Sequence, residues 1–313
     1  MIDWSPQFQV LGIFRIALNV ADLNRSIEFY QNALGFSEIG AVTSNRPKTE
    51  ALLGGAFRSV VLHLGDQHIE LTAFRGSTRA YPIDSRSNDL WFQHFAIVTD
   101  EIEQAAARLH EWGATVITVG GPVTLPSSSG SVTAYKFRDP DGHPLELLSF
   151  PKNTLPQECV VVAPSINHTA LSVSKTAVSL TFYQHLLGLS VLSQQLNTGP
   201  TQEQLDDLPT VLVEVTALAA CERDPHLELL CYQTPAGRQQ STKMNPSDRA
   251  ASRIVFQIDN LSSFLAALTS AYPPKSVGRP VVIAANLPHA ALVCDPDGHL
   301  LLFEQAYKFQ VFS

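Results

Sequence analysis

The chain has 313 residues, of which 45% are hydrophobic and only 16% charged, and its 29 acidic and 21 basic side chains give a formal net charge of −8. This length fits about two domains with sizeable cores, and the acidic balance excludes a surface that follows nucleic-acid phosphates. No apolar run approaches the roughly 20 residues that a membrane helix requires.

The N-terminus and the cysteines indicate a cytoplasmic protein. Residues 1–6 contain no basic segment followed by an apolar one, so we expect no secretion signal. The cysteines show neither a CxxC pair nor zinc-finger spacing, and we expect buried free thiols in a reducing compartment. The four cysteines are Cys159, Cys221, Cys231 and Cys294.

Two segments recur along the chain. The segment Ser26–Phe36 is repeated as Ser179–Leu189, with Ser, Phe, Tyr, Gln, Leu and Gly at a constant offset of 153 residues. The segment Arg138–His143 is repeated as Cys294–His299, and both contain Asp-Pro-Asp-Gly-His. Such repeats indicate a duplicated fold. We therefore predict an N-terminal domain over 1–150, a proline-containing linker over 151–164 and a C-terminal domain over 165–313.

Each half divides again into two units, in which a strand-like segment precedes a helical pattern and several short β-like runs. The predicted first strands are Phe14–Val20, Trp91–Val98, Ile166–Val173 and Ser252–Ile258. The predicted helices span 22–35, 101–112, 175–187 and 261–270, and the predicted last strands are Gln67–Phe74, His143–Phe150, Pro225–Tyr232 and His299–Glu304. The chain thus contains four βαβββ modules, numbered 1 to 4, at 12–75, 91–150, 165–233 and 251–306.

The repeated Asp-Pro-Asp-Gly has the chemistry of a turn, because proline presets φ and glycine accepts positive φ. Its position before the last strand predicts a hairpin. His143 and His299 follow the turn glycine, so we expect them to have a structural role at the end of this hairpin.

Four βαβββ modules, the Phe-Tyr…Leu-Gly helix end and the Asp-Pro-Asp-Gly-His hairpin resemble the vicinal oxygen chelate superfamily, which includes glyoxalase I, extradiol dioxygenases and bleomycin resistance proteins. The resemblance covers about residues 12 to 306. It implies an α+β fold in which the modules pair into two cup-shaped mixed β-sheets. A fold alone does not determine the chemistry.

The resemblance also implies where a divalent metal would bind, with one ligand from the first strand and one carboxylate from the last strand of each module. The first-strand positions are Arg15, His94, His168 and Arg253, and the last-strand positions are Glu70, Glu146, Glu228 and Leu302. Arginine offers no lone pair and leucine no donor atom. Modules 2 and 3 therefore keep both ligands, whereas modules 1 and 4 do not.

Two pairings of the modules are open. If modules 2 and 3 share a cup, His94, Glu146, His168 and Glu228 form a site for a divalent ion such as Fe, Mn, Zn, Ni or Co. This is the arrangement of four-module glyoxalases, and we favour it because it uses all four intact positions. Sequential pairing, as in extradiol catechol dioxygenases, would instead combine Glu70 with His94 and Glu146.

Several other residues are candidates for a role near the two cups. Arg15 and Arg253 are predicted to bind an anionic substrate group, although an ion pair of these arginines with Glu70 and Glu304 is the favoured alternative. His68 and His226 share a strand face with Glu70 and Glu228 and could support them. The loop Tyr81–Trp91 concentrates hydrogen-bonding groups next to the predicted site, with a polar linker as the alternative. The loops Pro126–Gly130 and Asn197–Gln204 are candidate covers of the site, with a simple turn as the alternative for the first.

Three functions fit these residues. The favoured one is a metal-dependent lyase or isomerase in which the substrate chelates the ion through vicinal oxygens and Glu146 or Glu228 is the general base. The second is an extradiol-type dioxygenase that uses His94, His168 and one glutamate, with Tyr135 or Tyr232 nearby. The third is a metal-free binding protein. In each case the partner is a small molecule and the protein is a monomer or a homodimer.

Overall fold

The computed structural model describes residues 7–43, 47–76, 78–151, 163–221, 225–239, 244–273 and 280–306. Residues 1–6, most of the predicted linker and Cys159 lie outside the described residues, and so do the expectations that concern them. Of the three described cysteines, Cys231 is buried as expected, whereas Cys294 is partly buried and Cys221 is exposed.

The secondary structure follows the four predicted modules. Module 1 consists of β1 Val10–Asn19, α1 Leu23–Leu34, β2 Ser37–Thr43, α2 Pro47–Leu53, β3 Phe57–Leu64 and β4 Gln67–Phe74. Module 2 consists of β5 Gln93–Val98, α3 Ile102–Glu111, β6 Thr115–Val116, β7 Val123–Thr124, a 3-10 turn at Ser127–Ser129, β8 Thr133–Arg138 and β9 Pro144–Ser149.

The C-terminal half repeats this order. Module 3 consists of β10 Ser165–Ser172, α4 Thr176–Leu180 continued by a π-helical turn at Thr181–Leu186, β11 Ser190–Thr198, α5 Pro200–Asp206, β12 Leu212–Ala219 and β13 His226–Thr234. Module 4 consists of β14 Arg253–Ile258, α6 Leu261–Ala271, β15 Val281–Leu287, β16 Ala290–Cys294 and β17 Leu300–Gln305. No helix within the described ranges has the length and apolarity to cross a membrane.

The first helix shows why the helix boundaries could be predicted. The Asp22 carboxylate accepts hydrogen bonds from the backbone N–H groups of Asn24 and Arg25, which caps the start of α1. The helix ends at Gly35, whose φ of 80° is the left-handed conformation that glycine adopts at low cost. The short helices α2 and α5 were not predicted, because each contains barely two turns.

The strands form two mixed sheets, each of which joins modules from both halves of the chain. The first sheet has the order β15-β16-β17-β14-β1-β4-β3-β2, and the second has the order β11-β12-β13-β10-β5-β9-β8-β6. Modules 1 and 4 therefore share one sheet, here called the outer cup, and modules 2 and 3 share the other, here called the inner cup. This α+β fold with two mixed sheets confirms the predicted fold class, and the favoured pairing is the one observed.

The hydrophobic cores combine the modules differently from the sheets. One core consists almost entirely of residues from modules 1 and 2, and a second almost entirely of residues from modules 3 and 4. Within each half of the chain, the helices of its two modules thus pack against strands that belong to two different sheets. The predicted domain limits at 150 and 165 remain a prediction.

The repeated sequence segments meet in space and tie the modules of each half together. The Tyr30 hydroxyl of α1 donates to Asp139 in the hairpin of module 2 at 3.0 Å, and His143 Nδ1 lies 2.9 Å from the same carboxylate. In the second half, the Tyr183 hydroxyl donates to Asp295 at 2.9 Å. The Asp-Pro-Asp-Gly turns form the predicted hairpins, and His143 has the expected structural role.

Replacing His143 with Gln should destabilise the protein in a pH-dependent way. Burial lowers the pKa of His143, but Asp139 outweighs this effect and raises the pKa above its usual value. The stabilisation is therefore complete below the unfolded pKa of about 6.5 and is lost as the pH rises through the folded pKa.

We expect the variant to lose about 3 kcal/mol of unfolding free energy near pH 5.5. The difference from the wild type should shrink toward pH 9 when both are measured by urea denaturation. A difference that stays constant over this range would contradict the proposed ion pair.

Candidate metal centre

The pairing of β5 with β10 brings the predicted ligands of the inner cup together. These strands run antiparallel, with His94 opposite Ala170 and His168 opposite Ala96. Each last strand runs parallel to the first strand of its own module, which places Glu146 beside Ala96 and Glu228 beside Ala170. All these side chains project from one face of the sheet, and the two small alanines leave room between them.

The four predicted ligands form a row in which each donor atom lies within 3.6 Å of the next. His94 Nε2 is 3.3 Å from Glu146 Oε2, and His168 Nε2 is 3.6 Å from both Glu146 Oε2 and Glu228 Oε2. The site is largely buried, since the His94 and Glu146 side chains are only 2% and 7% exposed. The structure thus combines the four residues that the sequence assigned to one site.

The 3.3 Å distance is that of a long hydrogen bond, whereas the two 3.6 Å distances exceed hydrogen-bonding length and separate donor atoms that face one another. Two donor atoms about 2.1 Å from one ion lie roughly 3.0–3.4 Å apart at octahedral or tetrahedral angles. His168 Nε2 is buried and has no partner within hydrogen-bonding distance. Its other nitrogen, Nδ1, lies 3.0 Å from Asn167 Oδ1, and a proton on Nδ1 leaves the Nε2 lone pair free for an ion.

The electrostatics of the cup keep both glutamates ionised. Burial raises the pKa of Glu146, but Lys136 and the two imidazoles outweigh it and hold the pKa well below its usual value. Burial also raises the pKa of Glu228, yet His168 and His226 bring it to about 2. Two buried carboxylates with adjacent imidazoles are a donor set suited to a divalent first-row cation.

The imidazoles differ in their response to the same surroundings. Burial lowers the pKa of His94 below its usual value. Burial acts in the same direction on His168, but Glu228 and Glu146 outweigh it and raise the pKa. A metal ion binds only the neutral imidazole, so its binding would displace a proton from His168 in the lower part of the physiological pH range.

A cavity of about 170 Å³ opens above these side chains. Both loops that were predicted as candidate covers contribute to its wall, with Ser129 from the 3-10 turn and Asn197 from the end of β11. The Ser129 hydroxyl donates to Asn197 Oδ1 at 3.1 Å, which links the two segments. Helix α5 adds Gln202 and Leu205 to the wall.

A buried lysine beside the ligands was missed by the sequence analysis. Lys136 on β8 lies directly across from Glu146 on β9 and lines the same cavity. Its ammonium donates to Asp206 of α5 at 2.6 Å, and Gln202 donates to the other carboxylate oxygen at 2.7 Å. The available signal was a charged residue between Tyr135 and Phe137 in an otherwise apolar strand.

The outer cup contains an ion-pair network at the positions where the inner cup has ligands. Arg15 Nε donates to Glu70 at 2.7 Å, and its two terminal nitrogens donate to Glu304 at 2.8 Å each. Arg253 is fully buried and donates to Asn19 Oδ1 at 2.8 Å and to backbone carbonyls. Arg15 thus forms the ion pair that was favoured for it, and substrate binding by Arg15 and Arg253 remains a prediction.

The remaining candidate histidines and tyrosines lie in the inner cup, in the outer cup or in a hydrophobic core. His226 Nε2 lies 3.5 Å from Glu228 Oε1, next to the predicted ligands. Tyr232 lies on the same strand face, and burial together with Asp206 raises the pKa of its hydroxyl well above the usual value. Tyr135 faces away and packs in the core of modules 1 and 2. His68 lines a separate cavity in the outer cup.

The loop Tyr81–Trp91 forms the polar connection that was the alternative to groups facing the site. None of its residues lines the inner-cup cavity. Arg238, which follows module 3, donates to Asp84 at 2.7 Å and to Asp89 at 2.7–2.8 Å, and the Ser172 hydroxyl donates to the Ser87 carbonyl at 2.9 Å. The loop therefore connects the two halves of the chain, and this explains its high content of polar residues.

Comparisons with known proteins agree with this architecture. The family model described as the Glyoxalase/Bleomycin resistance protein/Dioxygenase superfamily matches residues 12–147 and 165–303. The crystal structure of glyoxalase I from Zea mays superposes with a TM-score of 0.67 at 19% identity and covers 97% of this chain and 95% of its own. At this identity the likeness concerns the fold.

Two relatives by sequence carry the name of an enzyme. "Lactoylglutathione lyase GLX1" of Arabidopsis thaliana is 26% identical over 61% of this chain, and the match spans 59% of that relative's length. "Lactoylglutathione lyase" of Salmonella typhimurium is 31% identical over 44% of this chain and 92% of its own length.

Replacing Arg15 with Leu should destabilise the fold, because it leaves Glu70 buried without its counter-charge. We expect a loss of about 3 kcal/mol in the free energy of unfolding, measured by urea denaturation. The double variant Arg15→Leu/Glu70→Leu is the matched control and should recover part of this loss, since it removes both charges. Unchanged stability of Arg15→Leu would show that the ion pair is not needed for folding.

Proposed function

The chain belongs to the Glyoxalase/Bleomycin resistance protein/Dioxygenase superfamily, and we propose that it is a metal-dependent lyase or isomerase with its active site in the inner cup. The observation that carries this proposal is the group of two imidazoles and two ionised glutamates in one buried cavity. His94, Glu146, His168 and Glu228 are the proposed metal-binding residues. The substrate is a small molecule with two vicinal oxygen atoms.

The bound ion and the protein residues would have separate tasks. A divalent ion in the cup supplies a Lewis acid for the two substrate oxygens and stabilises negative charge that develops on them. Asn167 holds the His168 ring so that Nε2 faces the site. Lys136, whose own carboxylate partner Asp206 is buried with it, maintains a positive charge in the cavity wall and favours an anionic form of the substrate.

Glu228 is the better placed of the two glutamates to act as the general base. Its side chain is 20% exposed toward the cavity, compared with 7% for Glu146. Both glutamates lie between two imidazoles, Glu146 between His94 and His168 and Glu228 between His168 and His226, so exposure to the cavity is what distinguishes them. We therefore propose that Glu228 takes the substrate proton and that Glu146 serves as a ligand.

The names of the sequence relatives support a lyase. Both the Arabidopsis and the Salmonella relative are called lactoylglutathione lyases. We propose that this chain interconverts such a thioester, or a similar α-hydroxy acyl compound, and its thiol and dicarbonyl precursors. Its location in the cytoplasm is part of the same proposal.

An extradiol-type dioxygenase is the second candidate. His94, His168 and Glu146 alone form a group of two histidines and one carboxylate, the set that holds iron in non-haem oxygenases. The buried hydroxyl of Tyr232 lies near the site, as such a reaction would need. This candidate requires that Glu228 remains outside the coordination shell.

The metal content of the purified protein tests the site itself. We expect about one divalent ion per chain in the wild type and none in His168→Ala, measured by mass spectrometry of the metal after removal of free ions. Zinc, nickel or cobalt would favour the lyase, and iron would favour the dioxygenase. The absence of metal in the wild type, even after reconstitution, would contradict the proposed function.

The reaction itself is tested with glutathione and methylglyoxal as substrates. We expect formation of lactoylglutathione by the metal-loaded wild type and a kcat lower by at least about 100-fold in Glu228→Gln, because a general base is lost. The metal content of each sample serves as the control for ligand loss. Oxygen uptake with catechol, in the absence of any lactoylglutathione formation, would support the dioxygenase instead.

A further inference from the structure

The inner cup contains more donor atoms than the four predicted ligands provide. Five side chains alternate between imidazole and carboxylate across its floor, in the order His94, Glu146, His168, Glu228 and His226. The neighbouring donor atoms in this row are 3.3, 3.6, 3.6 and 3.5 Å apart. The last member, His226, is at the start of β13 and has its ring centre 5.4 Å from that of His168.

The row divides into two compact groups that share one residue. The donor atoms of His94, Glu146 and His168 all lie within 4.8 Å of one another, and so do those of His168, His226 and Glu228. We call these the first triad and the second triad. Each has two imidazoles and one carboxylate, so each alone is a plausible donor set for a divalent first-row ion.

We propose that His226 is a metal ligand, and that the second triad is an alternative position for the divalent ion beside the first. This inference rests on the proposed function, because it concerns the same ion and the same cup. It adds a ligand to the site, and it explains why the inner cup contains a third histidine, on the same strand and the same face as Glu228.

One ion, and not two, is expected in the cup at a time. A neutral imidazole has one lone pair, on the nitrogen that carries no proton. His168 has Nδ1 close to Asn167 Oδ1, which leaves only Nε2 for an ion. Because both triads need this nitrogen, occupation of one excludes occupation of the other.

The two positions differ in their access to solvent. The His226 and Glu228 side chains are 15% and 20% exposed, whereas those of His94 and Glu146 are 2% and 7% exposed. An ion in the second triad can therefore keep water ligands more easily than an ion in the first.

Cobalt(II) titration of the apo-protein tests the second triad without any substrate. We expect one cobalt ion per chain in the wild type, with d–d absorption bands. His94→Ala disrupts the first triad only, so it should still bind one cobalt ion, with an affinity at least about tenfold lower and with altered bands. The double variant His94→Ala/His226→Ala should lose cobalt binding, because neither triad is intact.

The matched control is His94→Ala/His68→Ala. His68 precedes Glu70 by two residues, as His226 precedes Glu228, but it lies in the outer cup. This variant should bind cobalt as His94→Ala does. Circular dichroism of each apo-variant checks the fold, and Glu146→Gln replaces His94→Ala as the background if the latter does not fold.

The outcomes separate this inference from the proposed function. Cobalt binding that is the same with and without His226 in the His94→Ala background would overturn the second triad, and so would complete loss of binding in a folded His94→Ala. Either result leaves a wild type that binds one ion, so the proposed function stands. A wild type that binds no cobalt would overturn both.

Discussion

The antiparallel pairing of β5 with β10 is the interaction on which the inner cup depends. In this pairing His94 of β5 lies opposite Ala170 of β10, and His168 of β10 lies opposite Ala96 of β5, so the two strands contribute equivalent histidines. A shift of this register by one residue would place the two imidazoles on opposite faces of the sheet. Glu146 and Glu228 follow the same register through their parallel pairing with the first strands. A single strand pair therefore assembles the whole site.

The two cups differ in how they neutralise buried carboxylates. A carboxylate that is buried without a counter-charge is costly. In the outer cup the guanidinium of Arg15 satisfies Glu70 and Glu304 with three hydrogen bonds of 2.7–2.8 Å. In the inner cup the contacts of Glu146 and Glu228 with imidazoles are 3.3–3.6 Å long. In the outer cup the carboxylates are thus paired with a guanidinium, whereas in the inner cup the imidazole nitrogens and carboxylate oxygens remain available to bind an ion.

Local sequence patterns predicted the modules and the hairpins, because repeated turns and alternating strands are local features, whereas the four inner-cup residues followed from the family resemblance. The pairing of modules was favoured but not fixed, since it depends on contacts between residues more than 70 positions apart, such as His94 and Ala170. The bond from Lys136 to Asp206 and the wall formed by α5 were missed for the same reason. His226 was recognised as sharing a face with Glu228, but only the structure gives its distance from that carboxylate.

The residue at the equivalent position of each first strand determines whether a cup can bind a metal ion. Histidine at 94 and 168 offers a lone pair, whereas arginine at 15 and 253 is a permanent cation without one. The outer cup still contributes to the inner site. The sheets join module 1 to module 4 and module 2 to module 3, whereas the cores join module 1 to module 2 and module 3 to module 4. The core of modules 1 and 2 packs strands of both sheets against shared helices, and the core of modules 3 and 4 does the same. Loosening the outer cup would therefore loosen the helices that support β5 and β10, and with them the geometry of the inner site.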